Sequence, residues 1–229
     1  MSDQPTNKQP WSIANALHQL GFSVDEKLNS FLPFFHLLER LKTTKRAGWK
    51  RHGIKNGESI ADHSWRMAMI AMFAAPAGLD KLRCIQMCLV HDIAESVVGD
   101  ITPADKVSKE EKEGRERATI DWIAQVLLGH EAAGVSGEQL RGLWDEFERG
   151  ETAESKFAQN VDKIELLLQM VEYEGRDAEN LSEFAYVAQK LSPDMKSLGD
   201  SILSERRDVS STRASQDEDM RRLQDQYYS

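Results

Sequence analysis

One period governs almost the whole chain: apolar side chains recur every three or four residues, and no stretch alternates convincingly every second residue. Such a chain has helices to build with and little else. In residues 59–75, SIADHSWRMAMIAMFAA, the side chains of His63, Met67, Ile70 and Ala74 share one face. After the break AGLD, residues 80–97 read as a second apolar helix. GDITPAD is a turn punctuated by Gly99 and Pro103. A long amphipathic helix is expected from about Ser108 to Leu128, with Ile120, Ile123, Val126 and Leu127 inward. The Gly- and Ala-rich loop 129–137 separates it from EQLRGLWDEFERG, which ends on Gly150, a good C-cap residue. ESKFAQNVDKIELLLQMVEYE is the other strongly helical block. Near the N-terminus a short helix is expected within 11–20. Another begins near Lys27 and runs through FLPFFHLLERL, where Pro33 fits only a first turn or a bend. The expected fold class is all-α, a compact multi-helix bundle. Its body spans residues 11–203, between an unstructured 1–10 and a charged, mobile tail at 204–229.

A chain of 229 residues, 40% of them hydrophobic, can bury one substantial core without disulfide staples. No run of eighteen apolar residues is present, so no membrane span is expected. MSDQPTNKQP lacks the basic-then-apolar pattern of a secretory leader. Cys84 and Cys88, one turn apart on a single helix, read as reduced core residues. The expected setting is intracellular, in the cytoplasm, with the nucleus as a further compartment. A net charge of −9 repels a nucleic acid polymer, although a local basic patch can still hold a small phosphate. KTTKRAGWKRH, residues 42–52, is such a patch: either a solvated basic turn or an anion-binding loop whose Trp49 packs on a sugar or base.

The chemistry concentrates in CLVHDIAESVVGDITP, residues 88–103. On one continuous helix His91 and Glu95 would share a face, with Asp92 beside them and Cys84, Met87 and Cys88 on the same inward side. Burying an imidazole and two carboxylates without compensation costs several kcal/mol. Basic partners on this segment are only Lys81 and Arg83, at its far end, whereas a divalent cation suits imidazole and carboxylate donors. His63 and Asp162 also lie on apolar helix faces. A lone buried His is more often a hydrogen-bonded core residue, and a lone Asp can pair with Lys163 or cap a neighbour. Four such residues, His63, His91, Asp92 and Asp162, make a common ion the better reading, with two positions of an octahedral ion left open.

Four stretches carry a family resemblance: LLERLKTTKRAGW, ESIADHSWRMAM, HDIAESVVGDITP and VDKIELLLQMVEYE, spanning roughly residues 28–175. They resemble the HD-domain phosphohydrolases, and within them the 5′-deoxynucleotidase branch of HD domain-containing protein 2-like proteins. The resemblance implies an HD-domain bundle hydrolysing deoxyribonucleoside 5′-monophosphates with a divalent metal, Mn, Co or Mg before Zn or Fe; a homodimer is expected from the apolar excess on several helices. The resemblance also implies His63, His91, Asp92 and Asp162 as metal ligands, and Glu95 either as the acid or base beside the metal-bound water or as a contact to a further cation. Asp100 and the carbonyl of Ile101 match positions for additional ions, and Arg46 and Trp49 match a phosphate- and nucleoside-contacting pair. Two rivals stand beside this: an HD-type hydrolase of cyclic nucleotides, guanosine polyphosphates or nucleoside triphosphates, and a non-catalytic helical binding module.

Overall fold

The computed structural model describes residues 10–23, 30–129, 136–177 and 180–228. Most of the expected N-terminal segment 1–10, the helix start near Lys27 and most of the loop 129–137 lie outside them. Among the described residues the chain is helical, with a single isolated antiparallel bridge between Lys45 and Ser59. Two short helices, α1 (Ile13–Gln19) and α2 (Leu32–Thr43), lead in, and Pro33 sits in the first turn of α2, where its missing N–H is harmless. α3 (Ala47–Arg51) is one turn long. α4 (Ile60–Ala74) begins at a capping box, in which Ser59 Oγ accepts from Asp62 N at 3.1 Å and Asp62 Oδ2 accepts from Ser59 N at 2.8 Å. That box fixes the start of the helix one turn before His63.

The expected helix over 80–97 is two helices. α5 (Lys81–Val90) stops at His91, and α6 (Glu95–Val98) follows after a tight turn. Through this turn the main chain bonds three residues back: Ile93 N to Val90 O at 3.0 Å, Glu95 N to Asp92 O at 3.0 Å and Ser96 N to Ile93 O at 3.2 Å. Such 3₁₀-like winding stacks side chains at i and i+3. Asp92, not His91, therefore aligns with Glu95, which corrects the face expected from α-helical spacing. Gly99, at φ 75°, then turns the chain out of α6.

A 3₁₀ turn at Pro103–Asp105 precedes α7 (Lys109–Trp122), which passes into a π-helical turn at Ile123–Leu127. α8 (Gly137–Arg149) ends on Gly150 in the left-handed conformation, as its sequence foretold. α9 (Ala153–Asp177) is the central rod, packed against α4, α5 and α8. A 3₁₀ segment (Ser182–Lys190) and α10 (Pro193–Tyr228) cover its other side. α10 runs unbroken through residue 204, where the tail was expected to begin, and Arg206 reaches back to Glu174 with N–O distances of 2.6 and 2.9 Å.

The core has two lobes. Met67, Cys84, Met87, Cys88, Val161, Ile164, Leu167 and Met170 fill one, and Leu37, Ile60, Ile93, Ile120, Ile123 and Trp144 fill the other. Both cysteines are buried and free, as expected. Among the described residues no helix is long and apolar enough to cross a membrane.

Candidate metal centre

His63 projects from the second turn of α4, fully buried, and His91 from the end of α5, 6% exposed. Each ring is oriented by its Nδ1. His63 Nδ1 lies 2.6 Å from Glu165 Oε2, and His91 Nδ1 lies 3.0 Å from the carbonyl of Cys88. An imidazole whose Nδ1–H donates presents Nε2 to whatever faces it. Both Nε2 atoms face Asp92: its Oδ2 lies 3.1 Å from that of His91 and 3.9 Å from that of His63. His63, His91 and Asp92 present donor atoms within 4.8 Å of one another, an arrangement that could hold a metal ion. Asp162, from α9, joins through His63, with its Oδ1 3.2 Å from Nε2. That contact lacks hydrogen-bond alignment, so Nε2 is a buried nitrogen without a hydrogen-bond partner. A buried, unpartnered nitrogen beside two carboxylates fits a cation, and two imidazoles with carboxylates suit a first-row divalent ion.

The centre is not sealed from solvent. The side chains of Arg46, Asp92 and Asp162 keep 17, 18 and 36% exposure. The Lys45–Ser59 bridge, with Arg46 N donating to Glu58 O at 3.1 Å, ties the basic loop to the start of α4. Arg46 Nη1 consequently donates to Asp92 Oδ2 at 3.0 Å. Burial alone would disfavour the charge on Arg46, but Asp92, Asp100, Glu95 and Asp162 outweigh it and raise its pKa. Burial pushes Asp92 upward and is overcome by His91, Arg46 and His63, which hold it well below the usual carboxylate range. Asp162, which partial burial also pushes upward, is brought to about 2 by its contact with His63, with His91 and Arg46 adding to the effect. His63 would be depressed by burial and by Arg46, yet Asp162 and Glu165 lift it to about 9.

Glu95 is 3% exposed, and its Oε2 has no hydrogen-bond partner. Burial, then the charges of Asp92 and Asp100, raise its pKa well above the ordinary value, as the stacking of Asp92 on Glu95 requires. Asp100 Oδ2 accepts from Ala47 N at 2.6 Å, which draws the loop after α6 onto the start of α3. Ile101 follows in that half-buried loop.

Trp49 is not exposed beside the centre. Its ring is 3% exposed, packed against Phe184 at 4.6 Å and Tyr173 at 5.3 Å, and its Nε1 donates to Glu58 Oε1 at 2.8 Å. No ring face is left for a nucleoside, so the expected contact gives way to a structural one: Trp49 anchors the loop that carries Arg46. Two residues that the sequence reading passed over stand directly behind His63. Glu165 is fully buried, and Arg66 Nε donates to its Oε1 at 2.8 Å. The signal was a lone acid inside the apolar run KIELLLQM.

A family model described as HD domain matches residues 38–198. The chain belongs to the HD-domain family. Among HD-domain relatives, 5′-deoxynucleotidase hdd1 of Schizosaccharomyces pombe is 41% identical over 180 residues, covering 77% of this chain and 90% of that protein. Human 5′-deoxynucleotidase HDDC2 is 42% identical over 145 residues, covering 63% of this chain and 69% of its own. Among solved structures, the chain is similar to a predicted metal-dependent phosphohydrolase from Magnetospirillum magnetotacticum. It superposes with a TM-score of 0.60 at 26% identity, over 82% of this chain and 97% of that one. The all-helical HD-domain architecture and the His/Asp cluster at its centre agree with these likenesses.

Proposed function

We propose that this chain is a divalent-metal-dependent 5′-deoxynucleotidase, hydrolysing deoxyribonucleoside 5′-monophosphates to deoxyribonucleosides and inorganic phosphate. One observation carries the reading: His63, His91 and Asp92 converge beside the Arg46 guanidinium at a centre that keeps some access to solvent. The relatives named 5′-deoxynucleotidase support the substrate class. His63, His91, Asp92 and Asp162 would hold the ion, with Asp100 and the Ile101 carbonyl available to a further one; Mn, Co or Mg would serve best, Zn or Fe less well. Bound there, a divalent ion supplies Lewis acidity, offsetting phosphoryl charge and making water a better nucleophile.

The remaining work falls to the chain. Arg46 has five N–H donors, of which only part are used on Asp92, so it can also grip phosphoryl oxygens and offset their charge as the P–O bond breaks. Glu95, whose carboxyl pKa is pushed up by burial, Asp92 and Asp100, can deliver a proton to the departing 5′-oxygen, which leaves as the nucleoside hydroxyl. Glu95 is nearly sealed from water, and Arg46 is the basic side chain that meets the carboxylate of Asp92, an arrangement that favours a monophosphate over a polyphosphate. The working form proposed is a cytoplasmic homodimer, supported by the exposed Trp65, Phe73, Leu82 and Leu89 on α4 and α5. Light scattering at the monomer mass would reject that part.

The test is a phosphate-release panel of deoxy- and ribonucleoside monophosphates, cyclic nucleotides and polyphosphates, run with Mn, Co, Mg and Zn separately. Turnover is expected for the deoxynucleoside monophosphates. Turnover confined to cyclic or polyphosphate substrates would assign the site to the rival hydrolases, and none with any ion would leave a binding module.

A further inference from the structure

We infer that Glu165, held by Arg66, is a positioning residue for His63, fixing its ring in the Nδ1–H form so that Nε2 is aimed at Asp92 and Asp162. The inference rests on the metal-dependent reading, since it concerns how one proposed ligand is aimed.

A carboxylate with no exposure, in the middle of an apolar helix, is stable only if its oxygens are occupied. Both are. Oε2 meets His63 Nδ1 at 2.6 Å, and Oε1 accepts from Arg66 Nε at 2.8 Å. Arg66 then spreads its fork along α9, donating through Nη1 to Glu172 at 2.7 Å and through Nη2 to Gln169 at 2.8 Å. His63 and Arg66 are three residues apart on α4, and Glu165, Gln169 and Glu172 follow the i, i+4, i+7 line of α9, so two helix faces are locked in register. The lock decides which ring nitrogen is free. With Nδ1 engaged, Nε2 is left 3.2 Å from Asp162 Oδ1.

The same atoms allow a competing use. Glu58, His63 and Glu165 also present donor atoms within 4.8 Å of one another, a second grouping that could take an ion on the far side of the ring. The neighbours argue against it. Arg66 places a fixed cation on Glu165, and Trp49 Nε1 already occupies Glu58 Oε1 at 2.8 Å. Glu165 is therefore an orienting group rather than a ligand. His91 provides an internal contrast, because its Nδ1 is held by a main-chain carbonyl that no side-chain substitution removes.

Mn²⁺ binding to wild-type protein and to Glu165→Gln, followed by the electron-spin signal of the free ion, tests the assignment. The variant should bind Mn²⁺ roughly 10- to 100-fold more weakly, with unchanged stoichiometry and an unchanged helical spectrum. Equal affinity would overturn the inference. So would the loss of a whole equivalent of bound ion with the remainder unaffected, which would make Glu165 a ligand. Should the variant not fold, wild-type protein labelled with ¹⁵N-histidine and loaded with Zn²⁺ gives the answer directly. His63 is expected as the Nδ1–H form, and an Nε2–H signal overturns the inference. Wild-type protein that binds neither ion defeats the metal-dependent reading as well, whereas wild-type binding with an unaffected variant defeats this inference alone.

Discussion

His63 Nε2 lies 3.2 Å from Asp162 Oδ1, although one residue comes from α4 and the other from α9. The contact joins the two helices at the point where His91 and Asp92 arrive from the end of α5. Asp162→Ala would leave that nitrogen facing a gap. Phosphate release should fall by more than the roughly 10- to 100-fold typical of losing a supporting group around a metal, because a direct donor is lost. Metal content of the purified variant should fall with it, while its helical spectrum stays that of the wild type. Full metal content with full activity would remove Asp162 from the centre.

Glu95→Ala should lower kcat about 10²- to 10⁴-fold at saturating metal, the usual contribution of a placed acid or base. Mn²⁺ affinity should change far less than in the Asp162 variant. An unchanged kcat would leave the proton transfer to another group.

Trp49→Phe separates a structural role from a substrate contact. The change removes the N–H that meets buried Glu58, whose pKa is already raised to about 7 by burial and by Glu165. Unfolding by urea should show a loss of about 1–3 kcal/mol, the ordinary penalty for a buried acceptor left without its donor. KM for the preferred substrate should stay near the wild-type value. A large rise in KM without loss of stability would make the indole a substrate contact instead.

The His63 imidazole, lifted to about 9 by Asp162 and Glu165 against burial and Arg46, must lose a proton before Nε2 can bind an ion. Between pH 6.5 and 9, Mn²⁺ affinity should therefore rise by about tenfold per unit and then level off. For chelator-stripped protein the sign is opposite. The stability contributed by charged His63 among its carboxylates is fully present below pH 6.5 and is lost as the pH rises through 9. Calorimetry in two buffers of different protonation enthalpy would count the released proton, and a count of zero would contradict the assignment.

The helices were legible because the apolar spacing of α4, α5, α8 and α9 reports directly on one buried face. The meeting of His63, His91 and Asp92 was legible for a related reason: polar groups on such faces demand partners. The stop at Val90 was not, since His91 retains helical angles and the change from α to 3₁₀ winding has no Gly or Pro to mark it until Gly99. Glu165 escaped notice because a single acid in a long helix resembles a solvent-facing position until the opposing Arg66 is seen. The basic neighbours of Trp49 mask its direction, because Lys45, Lys50 and Arg51 face outward while the ring packs inward. The continuation of α10 past residue 204 was hidden by a charged sequence with few aliphatic residues to display a period.

The tight winding from Val90 to Ser96 is held by main-chain hydrogen bonds, and it is this backbone thread that sets the spacing of His91, Asp92 and Glu95. Side chains at the intervening Ile93 and Ala94 therefore contribute bulk and greasiness but no instructions, and exchanges of similar size there should leave the reactive trio undisturbed. An inserted residue, by contrast, would rotate every later group by a third of a circle and scatter all of them at once. The segment behaves as a cassette: tolerant of spelling, intolerant of length.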